Sequence, residues 1–406
     1  MTVAPRSRSF PASARTLLSA ALLAWAVLAL SGCALLPRKP EPGRTTFSAP
    51  LVSLPVVLTA HTPVIELPRG KSGKWRFLVD TGSSVTLVSP DFAAQAARRG
   101  TTPEGAGVSV RSASGEWITL PAVTLRRLDL GGVRFESVPA VVYNFDALSD
   151  HFGERIDGIL GFPLFRETVL TLDYPQSTLR LTPAGSSGGL TPGSRLRFDP
   201  ANRVPLVPME IAGQAVNVLV DTGSDGGLQL NPTGLTVPFR APPVDGAKVA
   251  TLLGDRQQRL ARLEGNVLLG SHVFAQPVVD LNESLGSVGG DALWHFVVTF
   301  DQARGEMTVF RDPGRSPETP PIRSGGLSFR RTPAYWRVSH VIPGSPAAKA
   351  GIQEGDLVIR IEGEPVANWT LRRYDAWVAR ASALQLTFLH GLQERTERVE
   401  FFTLVP

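Results

Sequence analysis

One short phrase occurs twice in this chain of 406 residues. Residues 77–89 read FLVDTGSSVTLVS, and residues 218–231 read VLVDTGSDGGLQLN. In each copy an apolar, strand-like run reaches an aspartate that is followed by Thr-Gly-Ser. A single triplet of this kind is typical of an ordinary turn, but a carboxylate at the end of an apolar strand is costly to bury unless it has partners. The repetition therefore predicts that the two aspartates lie close together and are each other's partners.

The repeat extends beyond this phrase. Each copy lies in a block of alternating apolar strands with a Gly-containing turn, paired strands and a closing strand–turn–strand. Gly131-Gly132 and Gly270-Ser271 correspond as hairpin turns. Helix is expected only over 90–100 and in a short turn after Gly161. We therefore predict an internally duplicated β-rich unit.

Linkers rich in Gly, Ser and Pro divide the chain. The predicted segments are a signal peptide (1–32), a tether (33–50), lobe 1 (51–182), a linker (183–195), lobe 2 (196–311), a second linker (312–321) and a C-terminal domain (322–406). The 39 glycines and 34 prolines favour turn-rich, all-β structure over helical bundles.

Charge and histidine placement exclude two classes of function. The formal net charge is +5, and removing the three arginines of the predicted signal peptide leaves +2, which is no nucleic-acid footprint. The six histidines are scattered and form no metal-spaced cluster. We expect no metal, no cofactor and no nucleic-acid partner.

The N-terminus predicts export. Arginines precede the apolar run at 17–30, which is short for a membrane span but suits a signal core. Cys33, the only cysteine, follows Leu30-Ser31-Gly32, which resembles the lipobox of bacterial lipoproteins. That resemblance implies a diacylglycerol on the Cys33 thiol and a lipid anchor in the cell envelope. Ala34 after the cysteine resembles outer-membrane sorting, at the periplasmic face.

The two motifs occupy equivalent positions, so pairing of the lobes brings Asp80 and Asp221 face to face. Two adjacent carboxyls cannot both ionise, and they hold one proton between them. One carboxylate can then deprotonate a bound water while its protonated partner hydrogen-bonds a scissile carbonyl. We predict that Asp80 and Asp221 are the catalytic pair.

Residues 51–311 resemble the retropepsin and pepsin group of aspartic proteases, in particular the bacterial single-chain, two-lobe kind. In that family each lobe also supplies a hydrophobic-hydrophobic-Gly segment that passes behind the catalytic loop. Ile159-Leu160-Gly161 fits this pattern, and Val288-Gly289-Gly290 fits it less well. The resemblance implies an all-β, bilobal acid-protease fold and a peptide or protein substrate, with a catalytic unit that is monomeric.

The resemblance also assigns supporting roles. In the family the threonines of the two motifs interlock through hydroxyl-to-backbone bonds, and the serines bond the outer carboxylate oxygens. The supporting residues are Thr81, Gly82, Ser83, Thr222, Gly223 and Ser224.

The resemblance places flap tips at Ser114-Gly115 and at Gly254. Trp117 is the aromatic residue nearest the first tip. Asp225 directly follows the second motif, and we expect it to face solvent. If it faced the dyad instead, it would raise the pKa values of the pair.

The C-terminal domain resembles PDZ domains, especially those of bacterial envelope proteases. The residues that carry this are GSPAAKAG (344–351), the Gly355-Asp356 turn and the apolar strand after it. The resemblance implies a small β-barrel with two helices, one over 371–381, and a carboxylate-binding loop for a peptide C-terminus. Its peptide-binding residues would be Gly326, Leu327, Ser328 and Phe329.

Two functions fit these patterns. The first is a lipid-anchored aspartic endopeptidase that cuts extended polypeptide, with a PDZ domain that binds peptide or regulates access. The alternative is a catalytically silent scaffold or sensor that binds peptide through the same fold. Retention of both Asp-Thr-Gly-Ser units favours the enzyme.

Overall fold

The computed structural model of the chain describes residues 41–71, 73–97, 107–111, 116–186, 192–251, 254–312, 320–332 and 334–406. Strands dominate this part of the chain and helices are short, so the predicted all-β class is confirmed. Cys33, Ser114 and Gly115 lie outside the described residues. Within the described residues, the structure has no helix that is long and apolar enough to cross a bilayer.

The first lobe is built on one large sheet. Its strands and those that follow up to the linker are β1 (Thr45–Phe47), β2 (Val52–Pro55), β3 (Val57–Thr59), β4 (Thr62–Arg69), β5 (Gly73–Asp80), β6 (Thr86–Val88), β7 (Gly107–Arg111), β8 (Trp117–Leu130), β9 (Val133–Val142), β10 (Gly158–Gly161), β11 (Thr168–Asp173) and β12 (Thr178–Pro183). The sheet has the order β3-β4-β5-β10-β6-β9-β8-β7, and β1 pairs with β9. Helices α1 (Pro90–Ala96) and α2 (Asp146–Phe152) and a 3₁₀ turn (Phe162–Phe165) complete the lobe.

The second lobe repeats this plan. Its strands are β13 (Ser194–Arg197), β14 (Leu206–Ile211), β15 (Gln214–Val220), β16 (Leu228–Leu230), β17 (Val244–Thr251), β18 (Gly254–Arg262), β19 (Val267–Leu269), β20 (His272–Phe274), β21 (Val278–Leu281), β22 (Ser287–Val288), β23 (Val297–Asp301) and β24 (Glu306–Phe310). The sheet has the order β17-β18-β21-β16-β22-β15-β14-β19-β20. A 3₁₀ turn (Pro200–Asn202) and helix α3 (Gly290–Leu293) are its only described helical segments.

A six-stranded sheet joins the lobes, in the order β13-β24-β23-β11-β12-β2. At its centre β11 of the first lobe pairs antiparallel with β23 of the second, with Leu170 opposite Phe300. The buried hydroxyls of Thr171 and Thr299 hydrogen-bond across this pair at 3.0 Å. Buried apolar side chains of both lobes form one continuous core. The lobes are therefore held in a fixed relation beneath the two motifs.

The turn residues act as the sequence predicts. Gly131 and Gly132, with φ of 59° and 115°, turn the hairpin in which Leu130 faces Val133. Gly270, with φ of 62°, turns the matching hairpin. These left-handed values favour glycine because it has no Cβ. Helix α1 lies within the predicted 90–100 segment and is capped by Ser89, whose hydroxyl accepts from the Phe92 amide at 3.3 Å.

One predicted boundary needs correction. The tether predicted at 33–50 includes β1, because Thr45–Phe47 pairs with β9 through Thr45↔Phe135 and its neighbours. The Thr45 amide also donates to the Glu167 carboxylate at 2.8 Å. Backbone pairing therefore makes the last part of this segment a component of the first lobe.

The C-terminal domain has its own core. Its elements are β25 (Ile322–Ser324), β26 (Leu327–Arg331), β27 (Trp336–Val341), α4 (Pro346–Lys349), β28 (Leu357–Ile361), β29 (Glu364–Pro365), a 3₁₀ turn (Val366–Asn368), α5 (Leu371–Arg380), β30 (Ala383–His390), β31 (Gln393–Glu400) and β32 (Phe402–Val405). The main sheet runs β26-β27-β28-β30-β31, and β25 pairs with β32. The helix predicted over 371–381 is confirmed, and Tyr374 and Val378 are buried on its inner face.

Candidate active site

Each motif aspartate lies beside a crossing strand. Asp80 ends β5, which runs parallel to β10 with Gly161 opposite Asp80. Asp221 directly follows β15, which runs parallel to β22 with Val288 opposite Val220. The Asp221 amide donates to the Val288 carbonyl at 3.0 Å. The backbone on both sides of each aspartate is thus fixed by sheet pairing, as the resemblance implies.

The second crossing segment is shifted by one residue from the predicted one. Leu160 pairs with Val79 in the first lobe, and Val288 pairs with Val220 in the second. Val288 therefore corresponds to Leu160, and the second triplet is Ser287-Val288-Gly289 rather than 288–290.

Close backbone contacts explain the glycine of each triplet. A Cβ on Gly161 would lie 2.4 Å from the Val85 carbonyl oxygen, and one on Gly289 would lie 2.4 Å from that of Gly226. Only a residue without a side chain allows this approach. The sequence of the second lobe hides the equivalence because glycines stand at both 289 and 290.

The threonines of the two motifs are fully buried and interlocked. The Thr81 hydroxyl donates to the Val220 carbonyl at 2.6 Å, and the Thr222 hydroxyl donates to the Val79 carbonyl at 2.7 Å. Each hydroxyl also accepts from the amide of the opposite threonine. All four groups are satisfied without water, so the two catalytic loops are locked together. The predicted role of the threonines agrees with this geometry.

Each aspartate carboxyl lies against the glycine of the other motif. A Cβ on Gly82 would lie 2.5 Å from Asp221 Cγ, and one on Gly223 would lie 2.4 Å from Asp80 Cγ. This reciprocal contact places the two carboxyls next to each other. Both side chains keep some solvent-accessible surface. The geometric condition for a shared proton is met.

The environment favours protonation of this pair. Burial, the negative charge of Asp221 and the hydrogen bond to Asp221 raise the pKa of Asp80 well above its ordinary value. Burial also raises the pKa of Asp221, although hydrogen bonds from Asp80 and from the amides of Gly223 and Ser224 act in the opposite direction. The pair therefore keeps one proton to higher pH than isolated carboxyls would.

The two motif serines make different hydrogen bonds from those predicted. The Ser83 amide donates to Asp80 Oδ1 at 3.0 Å, but its hydroxyl donates to the Val85 carbonyl at 2.7 Å. The Ser224 hydroxyl accepts from the Gly226 amide at 3.2 Å. The expectation that both hydroxyls bond the outer carboxylate oxygens is therefore wrong. The tight turn after each aspartate already presents amides to the carboxylate and leaves the hydroxyls to brace the turn.

The predicted peptide-binding loop begins β26. Gly326 has φ of 83°, and its carbonyl accepts from the Ile342 amide at 2.9 Å. Leu327 is buried in the C-terminal core, and Phe329 meets the Tyr374 ring of α5 edge-on at 5.6 Å. Phe329 therefore lies against α5, as the resemblance implies for a side-chain pocket.

Residues 69–164, which include Asp80, match the family described as aspartyl protease. Residues 337–387 match the family described as PDZ domain. The chain contains an aspartyl protease domain and a PDZ domain. Among solved structures, the chain is similar to the crystal structure of the HtrA3 PDZ domain bound to a phage-derived ligand (FGRWV), at 21% identity and a TM-score of 0.18, covering 20% of this chain and 86% of that chain. No curated protein matches the chain.

Asp225 of the protease domain does not simply face solvent. Its Oδ2 lies 2.7 Å from His151 Nε2, and its side chain is 33% exposed. Burial acts to raise the pKa of Asp225, but the hydrogen bond and the positive charge of His151 outweigh it and lower the pKa. The negative charge of Asp225 in turn raises the pKa of Asp221. The solvent-facing expectation is therefore corrected.

Two residues near the dyad lie in no recognisable sequence motif. His151 comes from α2, far from either aspartate in the sequence, and no local pattern distinguishes it from the other histidines. Tyr174 follows β11 and is 3% exposed. Burial and the charges of Asp221 and Asp80 raise its pKa. Only the folded sheet between the lobes brings Tyr174 near the pair, so no local sequence pattern marks it.

The predicted flap of the second lobe is the hairpin β17–β18. Gly254 begins β18 opposite Thr251, with φ of 137°. In the first lobe Trp117 begins β8 and is 68% exposed, while the tip residues Ser114 and Gly115 lie outside the described residues.

The PDZ domain contacts that hairpin directly. Arg330 of β26 forms an ion pair with Asp255 at 2.8 Å. The Ser328 hydroxyl accepts from the Lys248 amide at 3.1 Å, and Lys248 Nζ lies 3.6 Å from Glu354. Ser328, which was predicted to bind peptide, is thus engaged by the second lobe. These contacts link the PDZ domain to both strands of the hairpin.

A second contact joins the PDZ domain to the first lobe. The buried Arg331 side chain donates to the His151 carbonyl at the C-terminus of α2. A Cβ on Gly153 would lie 3.1 Å from the Arg331 guanidinium carbon, so the two surfaces are closely packed. The C-terminal end of β26 therefore lies directly against the element that supplies His151.

Proposed function

We propose that the chain is an aspartic endopeptidase that hydrolyses peptide bonds in extended polypeptide. One observation carries this proposal: each of the two motif carboxyls lies against the glycine of the other motif, in a loop pair locked by reciprocal threonine bonds. A pair in this position can hold a water molecule between its oxygens. Both motifs lie in one chain, so we propose that a monomer suffices.

The chemistry follows from the shared proton. The ionised carboxylate removes a proton from the water, whose oxygen attacks the scissile carbonyl carbon. The protonated carboxyl donates to the carbonyl oxygen, so the intermediate is a neutral gem-diol. Collapse of the gem-diol breaks the C–N bond as a proton passes from the pair to the leaving amine and a hydroxyl proton of the gem-diol returns to the pair. One proton then remains on the pair, which returns to its starting state.

We propose that the PDZ domain regulates access to the cleft, and that a peptide bound at its Leu327 loop is the effector. Support comes from the Arg330–Asp255 and Ser328–Lys248 contacts, which attach the PDZ domain to the flap hairpin of the second lobe. A hairpin held in this way moves only as far as those contacts permit.

We further propose that the protein is exported and lipid-anchored through Cys33, at the periplasmic face of the outer membrane. The short apolar run ending in Leu-Ser-Gly-Cys supports this proposal. An anchored enzyme of this kind meets substrates that are unfolded or extended in the envelope.

Incubation of the purified full chain with a denatured protein mixture tests the proposed activity. We expect cleavage that a pepstatin-type inhibitor blocks and that Asp80→Asn and Asp221→Asn each reduce by about 10²–10⁴-fold or more. Cleavage that persists in both variants would overturn the proposal. A wild-type chain that is inert from acidic to neutral pH would favour the alternative of a silent peptide-binding scaffold.

A further inference from the structure

The contact between Asp225 and His151 joins the two lobes at the catalytic loop. Asp225 follows Asp221 by four residues, and His151 lies in α2 of the first lobe. The 2.7 Å contact is partly buried, with 20% of the His151 side chain and 33% of the Asp225 side chain exposed. A partly buried, hydrogen-bonded pair is screened by solvent much less than a surface pair. It is therefore strong enough to influence neighbouring groups.

Further charged groups surround this contact. His61, in the turn between β3 and β4, acts on Asp225 through its charge and lies 3.3 Å from Asp291. Arg331 of the PDZ domain donates to the His151 carbonyl and also feels the charge of Asp225. The charged and titratable groups that face the Asp225–His151 pair are Asp221, His61, Asp291, Arg331 and Asp375.

The sign of the pair's effect on the dyad depends on His151. Asp225 alone places a negative charge near Asp221, which favours protonation of that carboxyl. A positive charge on the His151 ring, 2.7 Å from Asp225, is opposite in sign and would offset it. The two members of the pair therefore act on the dyad in opposite directions, although they lie within one hydrogen bond of each other.

We propose that Asp225 and His151 are positioning residues, a pair that holds the second catalytic loop against the first lobe and sets the pH range in which the dyad works. The proposal rests on the proposed function, because it assigns a role at the same site. Neither residue needs to touch substrate for this role. The pair acts only through the position and the proton of Asp80 and Asp221.

Two conservative variants separate the charges. Asp225→Asn removes the negative charge near Asp221, so the alkaline limb of the kcat/KM profile shifts to lower pH. His151→Gln keeps a hydrogen-bond donor but leaves Asp225 uncompensated, so that limb shifts to higher pH. We expect opposite shifts of roughly half a pH unit or more, as nearby charges produce. His340→Gln is the matched control, because His340 pairs with Glu354 at 2.8 Å within the PDZ domain.

A purely structural role predicts a different result. In that case both variants have a lower kcat or melting temperature, but the alkaline limb of the kcat/KM profile stays at the same pH. That outcome would overturn the proposal. Shifts of both variants in the same direction would overturn it as well.

A second readout does not depend on cleavage. The melting temperature of the full chain is measured against pH with and without Asp80→Asn, in the wild type and in the Asp225→Asn and His151→Gln variants. In each background the difference between the two curves is the contribution of the dyad to the pH dependence of melting. We expect this contribution to shift to lower pH in Asp225→Asn and to higher pH in His151→Gln, as for the kcat/KM profile. If the wild type cleaves nothing, the proposed function fails, but the melting series still decides whether the pair controls the dyad.

Discussion

The amides of Thr81 and Thr222 each donate to the side-chain oxygen of the other residue, at 3.0 Å and 3.2 Å. Each hydroxyl also donates across the interface, to Val220 and Val79. This closed set of four bonds forms where the two lobes meet, next to Asp80 and Asp221. Its members are fully buried, so water cannot replace a bond that is lost.

We expect Thr81→Ala or Thr222→Ala to lower the free energy of unfolding by about 1–3 kcal/mol, because each leaves a buried carbonyl and an amide without a partner. We expect kcat to fall by more than the loss of folded protein explains, since the loops also orient the aspartates. Thr→Ser at the same positions is the control, because serine keeps the hydroxyl. Denaturant unfolding and kcat measure the two effects. An alanine variant as stable as its serine counterpart would contradict the structural role.

Protonation of the dyad predicts how stability depends on pH. The raised pKa of Asp80 means that the folded state binds a proton more tightly than the unfolded chain, whose aspartate titrates near 3.9. Wild-type stability therefore falls as pH rises above about 4. The asparagine of Asp80→Asn cannot ionise, so we expect this variant to melt at a higher temperature than wild type at pH 7, by at most about 2–4 °C for each kcal/mol of stability gained.

This stability difference disappears in acid. Below about pH 3 both carboxyls are protonated in either state, and the wild type and Asp80→Asn should melt together. Thermal scans from pH 3 to 8 provide the measurement. A variant that is less stable than wild type at neutral pH would show that the folded structure instead favours the ionised carboxyl.

The duplicated motif and its resemblance to aspartic proteases were sufficient to predict the all-β fold and the placing of Asp80 next to Asp221. Two Asp-Thr-Gly-Ser units at matching positions constrain the chain to one arrangement of lobes, and period-2 patterning located most of the strands. The threonine interlock was implied by the resemblance to aspartic proteases, and the geometry agrees with it. The two copies lie 141 residues apart, so it is the repetition of the motif, and not closeness in the sequence, that makes these features visible.

Other features of the site depend on contacts that no local pattern encodes. His151 meets Asp225 only because α2 of the first lobe reaches the second catalytic loop. The register of Val288-Gly289 was ambiguous because two glycines are adjacent, and the pairing with Val220 decides it. The serine hydroxyls have several acceptors within reach, and only the turn geometry selects among them.

Anchoring through Cys33 is a prediction that fractionation can test. Cys33→Ser removes the only thiol in the chain while leaving the apolar signal core intact. We expect the variant to lose incorporation of labelled fatty acid and to move from the membrane fraction to the soluble fraction, since acyl chains provide the anchor. Ser31→Ala is a control that keeps the thiol. Membrane retention of Cys33→Ser without label would indicate a different anchor.

The ion pair between Arg330 and Asp255 predicts how the PDZ domain restrains the flap hairpin. The Arg330 side chain is 51% exposed and that of Asp255 is 27% exposed, so removing the pair should cost at most about 1 kcal/mol of global stability. The effect on the local opening of the hairpin is larger, because the ion pair attaches its second strand, β18, to the PDZ domain. We expect Arg330→Ala to accelerate amide exchange in 244–262 several-fold without changing the melting temperature.

A charge exchange completes this test. Arg330→Asp alone should loosen the hairpin further, because two carboxylates then face each other, and Arg330→Asp with Asp255→Arg should restore its protection. The matched control is Arg360→Ala, which removes the 2.5 Å pair with Glu394 inside the PDZ domain and should leave 244–262 unaffected. Unchanged exchange in every Arg330 variant would contradict the prediction that this ion pair restrains the hairpin, and would leave the contacts of Lys248 with Ser328 and Glu354 as its restraints.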